Sequence, residues 1–571
     1  MGKFMVAKKL KKKILLIVII ANICVLGIVL SACNHKHSLT DNWFYDESGH
    51  WLECTGCKEL MYKGEHTYDV KDVCMVCGLA RPEDGELEYT LSDDGAAYIV
   101  SGIGNLRKTE VVIPQYYKGT KVTEIADNAF AGTDITELII PEGLKRIGDA
   151  AFWNCRFLSY VKLPDSLETV GDSAFDACIG LQEVVIGDGV KSVGSWAFAR
   201  CVSLEKVSFG AMISKIGSYA FYGCGLSNIF LPDNIECIGS SAFEECRRLS
   251  SVKLGNGINE IPDKAFLNCV RLTSLTIGSS VISVGSRAFD GCGWLVEIYN
   301  YSPLEIVKGD PVLYGGVGLN ALDIYVSDSQ SKLSENNEYV FYKGTDGILL
   351  LGYKGTENKL LLPENFEGMS YSISKYAFSD NDELISVKVP DGVSSAGEYA
   401  FSGCHNLKEI TIGSGIKTLN DGLFYNCTAL ESVSFEGNIA EVGKFAFYNC
   451  SSLENIELPD SVVYIGGSAF YGCTALADIK LSCELKTIGM EAFGYCTSLK
   501  SVTIPAEVTM IEKWTFRGCE ALAEVVFENP NEWYYVADAS FEYGRRFEAE
   551  VPETNARNLV LIYNDFYIKR K

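Results

Sequence analysis

The stretch that decides the fold runs LSYVKLPDSLETVGDSAFDAC, from Leu158 to Cys178. Val161 and Leu163 alternate with Lys162, the period-two signature of a strand with one buried face. Pro164 breaks that strand and forces a turn. Leu167 to Val170 form a second short extended piece, closed by Gly171, and Ala174-Phe175 then packs a short turn or helix against the core. So short a unit has no core of its own. It buries its apolar side chains only against the units before and after it.

The pattern spreads outward from this unit over most of the chain. Phenylalanine recurs at 130, 152, 175, 198, 221, 243, 266 and 289, then at 378, 401, 424, 447, 470, 493 and 516, in steps of 22 or 23 residues within each set. Cysteine stands three places after the phenylalanine in thirteen of these fifteen units; Thr133 and Asn381 replace it at the head of each set. Strands stacked at about 4.8 Å predict a curved solenoid with one continuous parallel sheet. The thirteen thiols are expected in a tight core corner suited to a small polarizable side chain, not in disulfides or metal sites. Cys237 and Cys483 fall out of register and are expected at the surface.

The register breaks between Phe289 and Phe378, and each set has its own ends. Hairpins are expected over 89–100 and 339–353, because an uncovered terminal unit would expose core and strand edge. The endings also match: Asn320-Ala321 precedes Leu322 to Val326 as Asn555-Ala556 precedes Leu559 to Tyr563. Two capped arrays, 85–334 and 335–571, follow, with a polar, turn-rich joint near 327–338 and a solvated basic tail at Lys569-Arg570-Lys571.

The unit from Leu453 through Ile456, Leu458-Pro459, Val462, Ile465-Gly466 and Ala469-Phe470 to Cys473 has the form LxxIxLPxxVxxIGxxAFxxC. It resembles leucine-rich repeats, and specifically the BspA-like class of bacterial surface proteins, over residues 85–571. That resemblance implies a leucine-rich-repeat solenoid, β-rich with short helical turns. It also implies adhesion to host matrix proteins, other bacteria or mucosal surfaces.

The N-terminus reads as an export signal. Six lysines precede residue 14, Ile14 to Leu30 is apolar except for Asn22, and Leu30-Ser31-Ala32-Cys33 follows. That tetrapeptide resembles the bacterial lipobox, which implies removal of residues 1–32, lipidation of Cys33 and a lipid-anchored protein on the outer face of the cell membrane. An uncleaved anchor is the alternative, since the apolar run can just span a bilayer. Formal net charge is −24, and loss of the six lysines would take it to −30. A field of that sign repels nucleic acid and anionic lipid, so nucleic-acid binding is disfavoured.

Residues 33–82 differ in composition. Cys54, Cys57, Cys74 and Cys77 read C-x2-C-x16-C-x2-C, the spacing of a four-thiolate zinc ribbon. His35, His37, His50 and His66 lie beside them and could supply further metal ligands. Two disulfides are the alternative, permitted by export and useful to a module too small to hold itself by burial. The segment also resembles a His/Cys-rich module of surface proteins from Gram-positive gut bacteria. A four-thiolate shell leaves no open position, so catalytic zinc is disfavoured.

Ligands would meet the outward strand positions. These are Lys162, Val185, Ser208, Phe230, Lys253, Thr276 and Tyr299 in the first array, and Lys388, Thr411, Ser434, Glu457, Lys480, Thr503 and Val526 in the second. No histidine is among them, and no carboxylate pair suggests acid/base work. A Cys404–His405 dyad would need both groups aimed at one substrate, whereas the repeat register points Cys404 inward. Catalytic residues are therefore expected to be absent. The favoured reading is a non-catalytic surface lipoprotein that binds proteins or glycans of host or microbial surfaces. The alternative is a metal-binding or sensing surface protein with the repeats as scaffold, and an enzyme ranks third.

Overall fold

The structure is a computed structural model that describes residues 44–46, 49–53, 60–64, 86–106, 108–540, 544–562 and 564–570. The chain forms two compact units, Met1–Val193 with Gly210–Met212, and Gly194–Phe209 with Ile213–Lys571. The first unit ends inside the span of the first array.

In the first unit, Phe44–Asp46, Gly49–Glu53 and Leu60–Gly64 make a three-stranded antiparallel sheet. The expected hairpin follows, Glu88–Leu91 against Tyr98–Gly102. Its second strand pairs in parallel with Thr120–Ile125, which starts a ladder running through Arg146–Ile147 and Thr169–Val170 to Ser192–Val193. A separate ladder joins Tyr160–Lys162 to Glu183–Val185. The repeat thus builds two parallel ladders, not the single continuous sheet expected. The turn at Pro164 redirects the chain, so Thr169–Val170 cannot extend the ladder that Tyr160–Lys162 belongs to.

The Ala-Phe segment is not helical. It is a pair of turns with a left-handed residue two places before and two places after the phenylalanine, as at Ser173 (φ 55°) and Ala177 (φ 60°). Left-handed backbone crowds a Cβ and ends any helix before it starts. Ala177→Gly is therefore expected to stabilise the protein by about 1 kcal/mol, read as a higher denaturation midpoint. Gly171 has a different cause: a Cβ there would lie 2.5 Å from Asp149 Oδ1 and 2.6 Å from the Gly148 carbonyl carbon. Successive turns approach too closely for any side chain.

The second unit repeats this design. Asn228–Leu231, Ser251–Leu254, Ser274–Ile277, Glu297–Asn300 and Asp323–Tyr325 form one parallel ladder. Lys359–Leu361, Ser386–Val389, Glu409–Ile412 and Ser432–Phe435 form another. Inward residues are buried at most turns, with Val433 and Phe435 only partly so, and the phenylalanine rings stack along the axis. Phe424, Phe447 and Phe470 lie 5.3 and 5.0 Å apart between centroids. The expected second hairpin is Tyr339–Gly344 against Gly347–Tyr353, and Leu333–Asn336 adds a third strand to it from within the polar joint.

The basic tail is not a solvated end. Tyr567–Arg570 is a strand paired antiparallel with both Met510–Ile511 and Trp533–Val536. Lys569 Nζ donates to Ala539 O at 2.8 Å. The tail is sandwiched between these two strands and covers the edge of the last repeat, which explains why Ile568, just before the basic residues, is buried. Among the described residues, no helix is long and apolar enough to cross a membrane.

Candidate ligand-binding surface

The cysteines at the repeat position fill the interior. All thirteen are free and buried. In most units the thiol donates to the carbonyl of the preceding unit's phenylalanine: Cys178 Sγ to Phe152 O at 3.1 Å, Cys404 to Phe378 O at 3.0 Å, Cys450 to Phe424 O at 3.2 Å. Shape explains part of the preference for cysteine. The other part is a donor that bridges consecutive turns where a larger group would not fit.

Burial pushes the Cys246 and Cys519 thiols up to about 12, and Cys404, Cys450 and Cys496 well above the ordinary thiol range. Cys155, at the head of the ladder, is held lower by its hydrogen bond with Cys178, yet is fully buried. Cys237 and Cys483 are exposed, as the register predicts. Thiolate is the reactive form. In native protein, iodoacetamide labelling mapped by peptide mass spectrometry should therefore mark Cys237 and Cys483 and spare the thirteen until denaturant is added.

The same geometry separates Cys404 from His405. Cys404 points into the core, whereas the His405 ring is exposed and its Nδ1 lies 2.8 Å from Asp382 Oδ1. The structure does not bring the two together as a nucleophile and base.

The outward strand residues form a contrasting face. Lys162, Phe230, Lys253, Lys388, Ser434, Glu457, Lys480, Thr503 and Val526 are exposed, and Val185, Ser208, Thr276, Tyr299 and Thr411 are half-buried. Register aligns them across strands: Phe230 beside Lys253, then Thr276 and Tyr299; Lys388 beside Thr411 and Ser434. Lys253 Nζ sits 5.3 Å above the Phe230 ring, and Lys480 pairs with Glu457. These charges are solvent-facing and screened, so the pairs stabilise little and leave the side chains free to re-pair. A second stripe lies on the turn face, where Tyr425, Tyr448 and Tyr471 stack at 4.8 and 4.9 Å. Their ring faces cover one another, so this stripe offers mainly edges.

The joint between the arrays carries a polar network that sequence patterning did not reveal. Glu297 is completely buried and accepts from Lys332 N at 2.6 Å, Ser331 Oγ at 2.7 Å and Tyr299 OH at 3.3 Å. Asp323, its neighbour in register, pairs with Lys332 at 2.7 Å and accepts from Tyr342 OH at 2.5 Å and Tyr325 OH at 2.9 Å. This adjacent carboxylate pair was not anticipated. Its oxygens are occupied by the joint itself, so it anchors residues 331–342 to the last strands of the first array.

Partial burial would raise the Asp323 carboxyl, but Lys332 and the tyrosine hydroxyls outweigh it and hold the group near about 2. A depressed carboxylate contributes stability that is complete above its unfolded value of about 3.9 and lost as pH falls through its folded value. Hydrogen exchange at residues 331–342 should therefore accelerate between pH 4 and 2 beyond its intrinsic rate change, and Asp323→Asn should remove that acceleration.

Of the other candidate residues, His50 lies on Gly49–Glu53 opposite Tyr45 and is buried. Cys33, Cys54, Cys57, Cys74, Cys77, His35, His37 and His66 lie outside the described residues.

Two ladders of short parallel strands, a stacked phenylalanine spine and an outward polar face define a repeat solenoid of the leucine-rich kind. The chain belongs to the family described as the BspA type leucine rich repeat region, matched in six copies over residues 123–224, 168–296, 361–457 and 440–555. Among solved structures it is similar to a leucine-rich repeat protein from Bacteroides ovatus, at 23% identity over 77% of this chain and 98% of that one, with a TM-score of 0.31. A leucine-rich repeat protein of T. pallidum is 30% identical over 37% of this chain and 87% of that one, with a TM-score of 0.29. A leucine rich cell surface protein from Faecalibacterium prausnitzii is 21% identical over 78% of this chain and 94% of that one, with a TM-score of 0.27. No curated protein sequence matches the chain.

Proposed function

We propose that this protein is a non-catalytic surface lipoprotein that binds proteins or glycans of host or microbial surfaces through the outward faces of its repeat strands. The observation that carries the reading is the composition of that face. Hydroxyls at Thr411, Ser434 and Thr503, cations at Lys388 and Lys480 and aromatics at Phe230 and Tyr299 stand in aligned rows on a rigid scaffold. Such rows supply the adaptable polar contacts and aromatic anchors that interfaces favour. Family membership supports a repeat-based binding role. Anchoring through a lipidated Cys33 would hold the arrays outside the membrane, clear of the cytoplasm.

The test is a binding screen of the full-length chain, in detergent micelles, against immobilised extracellular-matrix proteins, mucins and glycans. Saturable binding to one class, abolished by Lys388→Glu with Thr411→Arg, supports the proposal. Binding to none of them overturns it.

A further inference from the structure

A cleft of about 380 Å³ opens where the last repeats of the first array meet the start of the second, within one compact unit. Its volume falls within the range of small-molecule sites. Two of its walls carry opposite charge. Arg247, Arg248 and Arg271 come from repeats of the first array, and Asp380, Asp382 and Glu383 come from the first repeat of the second; Lys354, which also lines the cleft, is paired with Glu335. Trp294, Tyr353 and Tyr376 add aromatic surface between them.

The charges attract one another across the cleft, but their closest pairings lie on their own sides. Arg247 pairs on its own side with Glu245 at 2.7 Å, Arg248 with Glu205 at 3.5 Å, and Asp382 with His405 at 2.8 Å. Among the described residues no ion pair within 4.0 Å crosses the cleft. Desolvation raises the Asp380 carboxyl above its ordinary range, against the pull of Arg247 and His405. It likewise lowers Arg271, which makes no ion pair among the described residues. Neither charged group has a full complement of partners, and a guanidinium wall is suited to bidentate carboxylate recognition.

We propose that this junction cleft binds a short zwitterionic peptide, with its C-terminal carboxylate on the arginine wall and its N-terminal ammonium on the carboxylate wall. Metal is a poor alternative occupant, since four of the seven charged side chains lining the cleft are cationic. The site is distinct from the strand face proposed above and stands or falls separately from it. A ligand here touches both arrays at once, so it would stiffen the junction as it binds.

The experiment is isothermal titration calorimetry of the full-length chain with the peptide Gly-Tyr-Gly in four forms: free, N-acetylated, C-amidated and capped at both ends. Saturable binding of the free peptide is expected, with each cap weakening it about tenfold or more, as loss of a charge-assisted hydrogen bond requires. Arg271→Gln should abolish discrimination between free and amidated peptide, and Asp380→Asn should abolish discrimination between free and acetylated peptide. Unchanged thermal melts would establish that both variants remain folded. The capped forms test the same charges on the unaltered protein even if a variant does not fold. Absence of saturable binding by the free peptide overturns the proposal, as does binding indifferent to both caps.

Discussion

Replacing Phe447 with alanine is expected to destabilise the second array by about 3–5 kcal/mol. The ring is fully buried and stacked between Phe424 and Phe470, with interplanar angles of 24° and 9°. Its removal costs transfer free energy and leaves a void that neighbouring turns cannot collapse to fill, because their backbones are already hydrogen-bonded across the gap. Phe447 N donates to Ala469 O at 2.7 Å and Phe424 N donates to Ala446 O at 2.8 Å. Stability in a solenoid is a sum of nearest-neighbour interfaces, so loss of one interface severs the array there. Urea denaturation followed by tryptophan fluorescence should show an earlier transition. Hydrogen exchange should locate the loss of protection between residues 424 and 473. A change below about 1 kcal/mol would mean that the spine contributes far less than its burial implies.

Trp294→Ala is expected to have a comparable effect with a different signature. Trp294 is nearly buried and packs with Val296, Val340, Tyr342 and Leu351 in a small core between the end of one array and the hairpin that opens the next. Its Nε1 donates to Tyr376 O at 3.4 Å. A Cβ on Gly352 would sit 1.7 Å from Trp294 Cζ2, so the hairpin has been shaped around the indole. Truncation is expected to cost about 3–5 kcal/mol and to uncouple the arrays. Two denaturation transitions should replace one, and the segment 326–338 should become open to protease. A single unshifted transition would show that the polar network of Glu297 and Asp323 holds the joint by itself.

The fold was legible because its signals recur. One unit such as Leu158 to Cys178 is ambiguous, but fifteen phenylalanines in register are not, and register also predicted that Cys237 and Cys483 would be exposed. Periodicity reports what repeats and is silent on what occurs once. Glu297 and Asp323 stand at ordinary register positions of the ladder, and their roles, like that of Trp294, depend on residues such as Tyr342 and Tyr376 that only folding brings near. The left-handed turns escaped for another reason: Asn and Gly mark some of the positions two after the phenylalanine, as at Asn154 and Gly223, but Trp196, Tyr219 and Phe445 occupy the left-handed positions two before it. Bulky residues there hide the backbone conformation from propensity arguments. The basic tail misled because its partners on Trp533–Val536 lie more than thirty residues away.

A binding surface on the outward strand face separates two sets of substitutions. Affinity for the ligand class found in the screen should be measured for two variants that are equally folded. One carries Lys388→Glu, Thr411→Arg and Thr503→Arg on the strand face; the other carries Tyr425→Ser, Tyr448→Ser and Tyr471→Ser on the turn face. The first is expected to lose at least about tenfold in affinity, equivalent to about 1.4 kcal/mol, and the second to bind as the unaltered protein does. Retained binding by the first variant with loss in the second would contradict that placement and move the interface to the tyrosine stripe.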